Sequence, residues 1–421
     1  MGSEDVDGRP AGLMGAIDIA WIEGRILVLE GWVLDAAEPA GATFDVRVNG
    51  ISLPAELQRF ARPDLYSLAG DYAAQAGVRL RVEIAGALFN AVRSLEVLAE
   101  QAPIPINSRV EIEKLGNMAG AVAGKDGYLF LSNDSNHSLD QITGKMPLTE
   151  RQAFEIALVH QNRRSFAREQ IQADYLHFLV PSKEIVLSHL LLDNIRLQEK
   201  GLTPVASYFE AQPDAAQTTF YRPNLLRKLH ETQPAFSRTD THWTHAAALA
   251  YLKAGLERHG QGDVAARLDR ITLRRDLEPQ LGDLGKKINQ PPEMVEIITP
   301  ANPSARLTMT NGLINEGCCR FYSNPLMPSR ERLLFLHASS GQWLLKFISE
   351  IFGEVLAIHC SDFDPFFVKK YRPSLIIFCQ TERFFIKSPN NNISFRDFVK
   401  NEESRKGAIN SIVDNIDKLI S

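Results

Sequence analysis

The sequence predicts an α/β domain built on a parallel sheet, preceded by a small all-β sandwich. Two observations carry this. The first hundred residues hold short runs rich in β-branched and apolar residues, closely spaced and punctuated by glycine and proline. From about residue 120 short apolar runs alternate with helical patterns, which a buried parallel sheet produces. The length of 421 residues is enough for two or three domains and a substantial core.

In the first part, Ile26–Leu29, Thr43–Val48 and Val78–Ile84 read as strands, with Gly31, Glu38-Pro39, Asn49-Gly50 and Gly77 as breaks. Asn49-Gly50 lies between Phe44–Val48 and Ile51–Leu53, and Asn-Gly there predicts a type I′ hairpin because both turn residues need positive φ. The proline-rich stretch Gln101–Ile106 predicts a linker into the next domain.

In the second part, Thr149 with Gln152 is a capping-box pair, and the helix after it carries Phe154, Leu158 and Phe166. Leu176–Val180, Leu333–Leu336, Val355–Ile358 and Leu375–Phe378 read as buried strands, with a helical stretch over Trp343–Phe352. A last charged segment has Ile409, Ile412, Val413, Ile416, Leu419 and Ile420 at helical spacing, the pattern of a docking helix. The expected organisation is a flexible N-terminus over 1–14, a β-sandwich module over 15–103, the α/β domain over 104–393 and a helical segment over 394–421.

Composition narrows the function. With 46 basic against 51 acidic residues the net charge is −5, without the basic footprint of a nucleic-acid binder. No apolar run approaches the roughly 18 residues of a membrane span. The acidic, polar start Met1–Pro10 is not a signal peptide. The expected compartment is therefore the cytoplasm, with the periplasm or cell envelope as the alternative if the chain is a trimmed piece. Cys318, Cys319, Cys360 and Cys379 lie late in the chain beside apolar segments, as buried free thiols do. Neither they nor His242 and His245 have the converging spacing of a zinc site, so no metal or other cofactor is expected.

Two segments carry candidate chemistry. In Thr239-Asp240-Thr241-His242-Trp243, residues two apart in an extended or bridge-like segment face one way, so a carboxylate can hold an imidazole in the tautomer a general base needs. The same segment precedes a helical stretch over Ala246–Leu256, which Asp240 or Thr244 can cap. In Leu333–Gly341 an apolar strand runs into His337-Ala338-Ser339-Ser340-Gly341. This places a serine at the carboxyl end of a strand, where helix-start N–H groups can hold an oxyanion. A helix-capping serine is the alternative.

The chain from about 120 to 385 resembles the alginate O-acetyltransferase-like proteins of the AlgJ/AlgX type, relatives of the SGNH hydrolases. Gly124–Phe130 is similar to the family's opening motif, Val180–Glu184 to its Val-Pro-x-Lys-Glu, and Asp240-Thr241-His242-Trp243 to its Asp-Thr-His-Trp signature. Gly282-Asp283-Leu284 and Glu382-Arg383 complete the order.

The resemblance implies an SGNH-hydrolase-like fold and a Ser-His-Asp triad of Ser339, His242 and Asp240, with Ser340 as the fallback serine. It also implies a substrate or oxyanion site drawn from Ser340, His337, Gly341 and Lys183. The nucleophile turn departs from the family's Gly-Asp/Thr-Ser: His337 stands for the glycine and Ala338 for the polar residue. The implied activity is O-acetyl transfer to a polysaccharide or glycan hydroxyl, with the acyl group supplied by way of a membrane-bound acyltransferase partner. A glycan acetylesterase and a non-catalytic glycan-binding or assembly protein are the alternatives. In the β-module, Gly31-Trp32-Val33 resembles modules attached to glycan-synthesis enzymes, which makes Trp32 a candidate sugar-stacking residue as well as a core residue.

Overall fold

The computed structural model describes residues 13–23, 26–34, 43–84, 92, 94–108, 110, 120–132, 134–191, 203–287, 291–408 and 411–418. Glu38-Pro39, Ile409, Leu419, Ile420 and most of the expected 1–14 N-terminus lie outside them. Two compact units divide the chain. One comprises 1–134, 190–192 and 281–292, and the other 135–189, 193–280 and 293–421. The break expected at 103/104 thus falls inside the first unit.

The first unit holds β1 (Met14–Glu23), β2 (Ile26–Leu34), β3 (Phe44–Val48), β4 (Ile51–Leu53), β5 (Ala55–Phe60), β6 (Gly77–Glu83), β7 (Leu95–Ala99) and β8 (Ala102–Ile104). They form two antiparallel sheets, β1-β2-β6-β5 and β4-β3-β7-β8. Alternate residues from both sheets, among them Leu27, Leu29, Val46, Val48, Val78, Leu80 and Val97, build one core, as the period of two in a half-buried strand requires. Asn49 (φ 52°) and Gly50 (φ 79°) turn β3 into β4, the type I′ geometry expected of Asn-Gly.

The proline-rich 101–106 stretch is part of this unit rather than a linker. Its residues 102–104 are β8, at the edge of their sheet. Ile17 then donates its N–H to Pro105 O at 2.9 Å, and Asn107 donates back to Ile17 O at 2.8 Å. Proline is tolerated on an edge strand because the N–H it lacks has no ladder partner to lose.

A short pair, β9 (Ala121–Ala123) and β10 (Leu129–Leu131), belongs to the same unit. The turn between them carries the Gly124–Phe130 motif. A side chain on Gly124 would meet Leu190 O and the Phe130 ring, each at 2.4 Å, so only glycine fits. Leu284, of the Gly282-Asp283-Leu284 mark, is buried in this unit's core.

The second unit contains β11 (Asp174–Val180), β12 (Thr219–Phe220), β13 (Leu273–Gln280), β14 (Glu293–Pro300), β15 (Arg306–Thr310), β16 (Cys319–Ser323), β17 (Arg332–His337), β18 (Glu354–Ile358) and β19 (Leu375–Thr381). Seven of them make one sheet in the order β12-β11-β19-β17-β18-β16-β15. The five from β12 to β18 are parallel, while β16 and β15 extend the sheet antiparallel. All four apolar runs predicted as buried strands are in its centre. β19 is buried at every position and β11 at all but Asp174, because both faces are covered.

The helix Glu150–Phe166 starts with the expected capping box between Thr149 and Gln152. It buries Ala153, Ile156, His160 and Arg163 and packs Phe166 against the core, while Phe154 and Leu158 are exposed. The C-terminal segment is two helices, Phe395–Lys406 and Val413–Lys418. Gly407, in the left-handed conformation (φ 64°), ends the first as C-terminal cap glycines do. Ile412, Val413 and Ile416 dock in the core beneath the sheet. Among the described residues, no helix is long and apolar enough to cross a membrane.

Candidate active site

Parallel strands present their carboxyl ends along one edge, where open α/β sheets bind ligands. Ser182 and Lys183 follow β11, Ser339 follows β17, His359 follows β18 and Glu382 follows β19. The register keeps these ends together: Val180 pairs with Thr381, and His337 with Cys379.

Asp240 and His242 lie in a bent segment before the helix His245–Arg258. Thr244 caps that helix by accepting from Ala247 N–H, which leaves Asp240 for another task. Asp240 Oδ1 accepts two hydrogen bonds from His242, from the backbone N–H and from ring Nδ1–H, both at 2.7 Å. Since a carboxylate only accepts, Nδ1 carries the proton and Nε2 is the basic nitrogen. Both side chains keep about a fifth of their surface accessible, at 18% for His242 and 21% for Asp240. They line a pocket with His245, Gln280, Glu296 and Trp343.

This segment is clamped from below. Lys183, 1% exposed, donates its Nζ to the carbonyl oxygens of Ser237 (2.7 Å), Arg238 (2.9 Å) and Asp240 (3.0 Å). Glu293 accepts from Thr239 N–H at 2.8 Å and from its hydroxyl at 2.7 Å. Trp243 Nε1–H donates to Ser340 O at 3.0 Å, tying the histidine segment to the serine turn. Glu293 and the Trp243–Ser340 link were not legible in the sequence, since residues about 50 and 97 positions apart leave no local signal.

The turn after β17 is a 3₁₀ helix over Ser339–Leu344. Ser339 Oγ is buried and has no hydrogen-bond partner among the described residues, and no described bond joins it to His242. Ser340, the fallback serine, is buried and shares a 2.8 Å hydrogen bond with the Thr381 hydroxyl. Gly341 N–H donates to Ala338 O at 3.0 Å, so that donor is engaged within the turn. His337 is buried under the turn, stacked on Phe335 at 4.9 Å between ring centroids and 5.2 Å from the His359 ring. Its Nδ1–H donates to Ala338 O at 2.8 Å. Burial, with His359 adding to it, pushes the His337 pKa down to about 3, so the imidazole is neutral. Of the four residues named for a substrate or oxyanion site, the side chains of Lys183, Ser340 and His337 all bond to the protein's own groups.

Behind the turn, Glu382 accepts from Ser182 N–H at 2.7 Å and Tyr221 O–H at 2.8 Å. Burial raises its pKa to about 7 despite both donors. The four cysteines are buried free thiols, and burial pushes Cys360 up to about 12. His245 uses Nδ1 on Ile298 N–H at 3.0 Å and Nε2 on Lys346 at 2.9 Å, so it does not join His242 in a shared ligand set. Trp32, on β2 of the other unit, is half-buried with Glu30 on the less buried face of its sheet.

Residues 121–292 match the family model described as the SGNH hydrolase-like domain of acetyltransferase AlgX. No curated protein matches the chain. Among solved structures, it is similar to a DHHW family protein from Eubacterium siraeum DSM 15702, with 13% identity and a TM-score of 0.46 over 70% of this chain and 97% of that one. It is also similar to the O-acetyltransferase domain of Pseudomonas putida AlgJ, with 15% identity and a TM-score of 0.42 over 67% and 99%. Bacillus cereus PatB1 with a sulfonyl adduct gives 12% identity and a TM-score of 0.42 over the same shares. Residues 121–292 are thus similar to the SGNH hydrolase-like domain of the acetyltransferase AlgX.

Proposed function

We propose that the protein is an O-acetyltransferase that passes an acetyl group through Ser339 to a hydroxyl of a polysaccharide. The observation that carries this reading is the pair of 2.7 Å hydrogen bonds from His242 to Asp240 Oδ1, in a pocket partly open to solvent. The match to an acetyltransferase domain supports the reaction class.

In this reaction His242 Nε2 takes the Ser339 hydroxyl proton as Oγ attacks the acetyl carbonyl of the donor. Backbone N–H groups at the start of the 3₁₀ turn hold the oxyanion, and the donor's leaving group departs with the proton from His242. The acetyl-serine is then attacked by a sugar hydroxyl, deprotonated by the same Nε2, and Ser339 is regenerated. If water enters at that step the product is free acetate, and the protein is an acetylesterase. The Asp240 carboxylate stabilises the imidazolium formed in each half-reaction.

A second reading is a glycan-binding protein on the same fold. The buried, unpartnered Ser339 Oγ favours it, as does the His337-Ala338 pair in the nucleophile turn. Labelling of the full chain with a fluorophosphonate probe, with the modified residue mapped by mass spectrometry, separates the two. Label on Ser339 that disappears in His242→Ala supports acyl transfer. Label on Ser340 keeps the mechanism and moves the nucleophile. A folded protein that takes no label supports the binding reading.

A further inference from the structure

Beside the pocket lies a second pair of titratable side chains that the acyl-transfer chemistry does not use. His245 is the first residue of the His245–Arg258 helix, and Lys346 is in the helix Leu345–Ile351, with Trp343 close by. The His245 and Trp343 rings are 4.7 Å apart.

The protons of this pair can be counted. Ile298 N–H, on β14, donates to His245 Nδ1 at 3.0 Å, so Nδ1 is the unprotonated nitrogen. A neutral imidazole with a bare Nδ1 carries its proton on Nε2. Nε2 lies 2.9 Å from Lys346 Nζ. An ammonium has three donors and no acceptor, so Nε2–H facing it would set hydrogen against hydrogen. Only a neutral amine, with a lone pair to accept Nε2–H, completes the chain Ile298 N–H → His245 → Lys346.

Burial acts the same way. It lowers the Lys346 pKa to about 8 and, with Lys346 itself as a lesser cause, the His245 pKa to about 4. Glu278 on β13 favours the ammonium, and burial outweighs it. Lys346 is only partly buried.

We propose that Lys346 is a nucleophilic amine whose neutral form is far more populated near pH 7 than that of an ordinary lysine, and a site of acylation by activated acyl groups such as thioesters and anhydrides. The Nζ lone pair attacks the acyl carbonyl carbon, a C–N bond forms and the bond to the leaving thiolate or carboxylate breaks. The amine proton leaves with that group, and the product is a neutral amide whose carbonyl can take over the Nε2–H bond. This inference is independent of whether Ser339 is a nucleophile.

Limiting acetic anhydride at pH 7, with acetylated positions quantified by mass spectrometry, tests it. An ordinary lysine has roughly one amine in 2,500 unprotonated at that pH, given a pKa of about 10.4. Lys346 is therefore expected to acetylate at least ~10-fold faster than the exposed Lys228, Lys369 and Lys400. Denaturation in urea should level the rates. Slow labelling through poor access is distinguished by ¹⁵N-lysine NMR of the folded chain, in which one Nζ signal, absent in Lys346→Arg, should titrate below all the others. A Lys346 that titrates with the exposed lysines, or acetylates no faster than they do, overturns the proposal.

Discussion

Lys183 Nζ donates to the carbonyl oxygen of Asp240 at 3.0 Å, so a lysine after one parallel strand fixes the backbone of the residue that orients His242. The same ammonium holds Ser237 and Arg238, and a short segment is thereby wrapped around one buried cation. The carbonyl dipoles replace the water that the ammonium gives up on burial.

Replacing Lys183 with methionine keeps most of the volume and removes all three bonds. Hydrogen bonds to charged groups contribute about 1.5–3 kcal/mol each, so the variant should lose on the order of 3 kcal/mol of stability, with the shared cation keeping the three from adding fully. Urea unfolding measures the loss. A change below 0.5 kcal/mol (roughly the size of an ordinary surface substitution) would show that the clamp is not needed.

Asp240→Asn preserves the shape of the site but offers an amide where His242 Nδ1–H needs an acceptor. If the imidazole turns to the other tautomer, Nε2 no longer acts as base. Labelling of Ser339 by a fluorophosphonate is expected to slow by about 10²–10⁴-fold while thermal unfolding changes little. Equal rates in the two proteins would remove Asp240 from the mechanism.

Trp243→Phe deletes the bond from Nε1 to Ser340 O and leaves a buried carbonyl without that donor. The expected cost is about 1–3 kcal/mol. Because this bond ties the histidine segment to the serine turn, the labelling rate should also fall, by more than a matched destabilisation remote from the site produces.

Gly341→Ala puts a Cβ 2.5 Å from His337 Cβ, closer than two carbons can approach. Overpacking of this kind costs about 1–3 kcal/mol, and the double variant His337→Gly, Gly341→Ala should lose less than the sum of its parts. A thermal-shift double-mutant cycle measures this coupling. Additive losses would mean that the turn yields elsewhere.

Stability should depend on pH from both directions. His177 and His337 are pushed down to about 3 and His359 to about 4, in each case first by burial. His160 is also held well below its usual value by burial, with His177 beside it. The unfolded chain takes up these protons near pH 6.5 and the folded one does not, so stability present above pH 6.5 is lost as pH falls towards 4. Glu382 has the opposite sign. Its folded pKa of about 7 exceeds the ordinary 4.5, so its contribution is fully present below pH 4.5 and is lost as pH rises through 7, amounting to about 3 kcal/mol. Urea midpoints between pH 4 and 8 should show the acid loss. In Glu382→Gln the acid loss between pH 7 and 5 should be steeper, because the opposing contribution of Glu382 is gone, and an unchanged slope would count against a protonated Glu382.

Local patterns were legible in the sequence wherever neighbours in the chain set the structure. Asn49-Gly50 specified its turn because the required φ values belong to those two residues. Thr149 and Gln152 specified a helix start because both partners lie within one turn. The apolar runs of β11, β17, β18 and β19 marked the centre of the sheet because a strand covered on both faces has no polar side to show. Asp240 and His242 were also readable, being two residues apart in the chain.

Only the tertiary structure decided the rest. The prolines near 103 suggested a linker, but an edge strand accepts a residue without an N–H, and the sequence does not say which strand is at the edge. Phe154 and Leu158 are exposed on their helix, and burial goes to Ala153, Ile156, His160 and Arg163, because the helix turns towards the elements it meets. The Lys183 clamp, the Glu293 latch on Thr239, the Trp243–Ser340 tie and the His245–Lys346 pair each join residues more than 50 positions apart. The sequence by itself determined which backbones turn, which runs are buried and which carboxylate meets which imidazole, since those depend on torsion preference and short-range geometry. What each charged side chain holds, and whether it carries its charge, depends on the partners that folding brings to it, and only the folded chain supplies those.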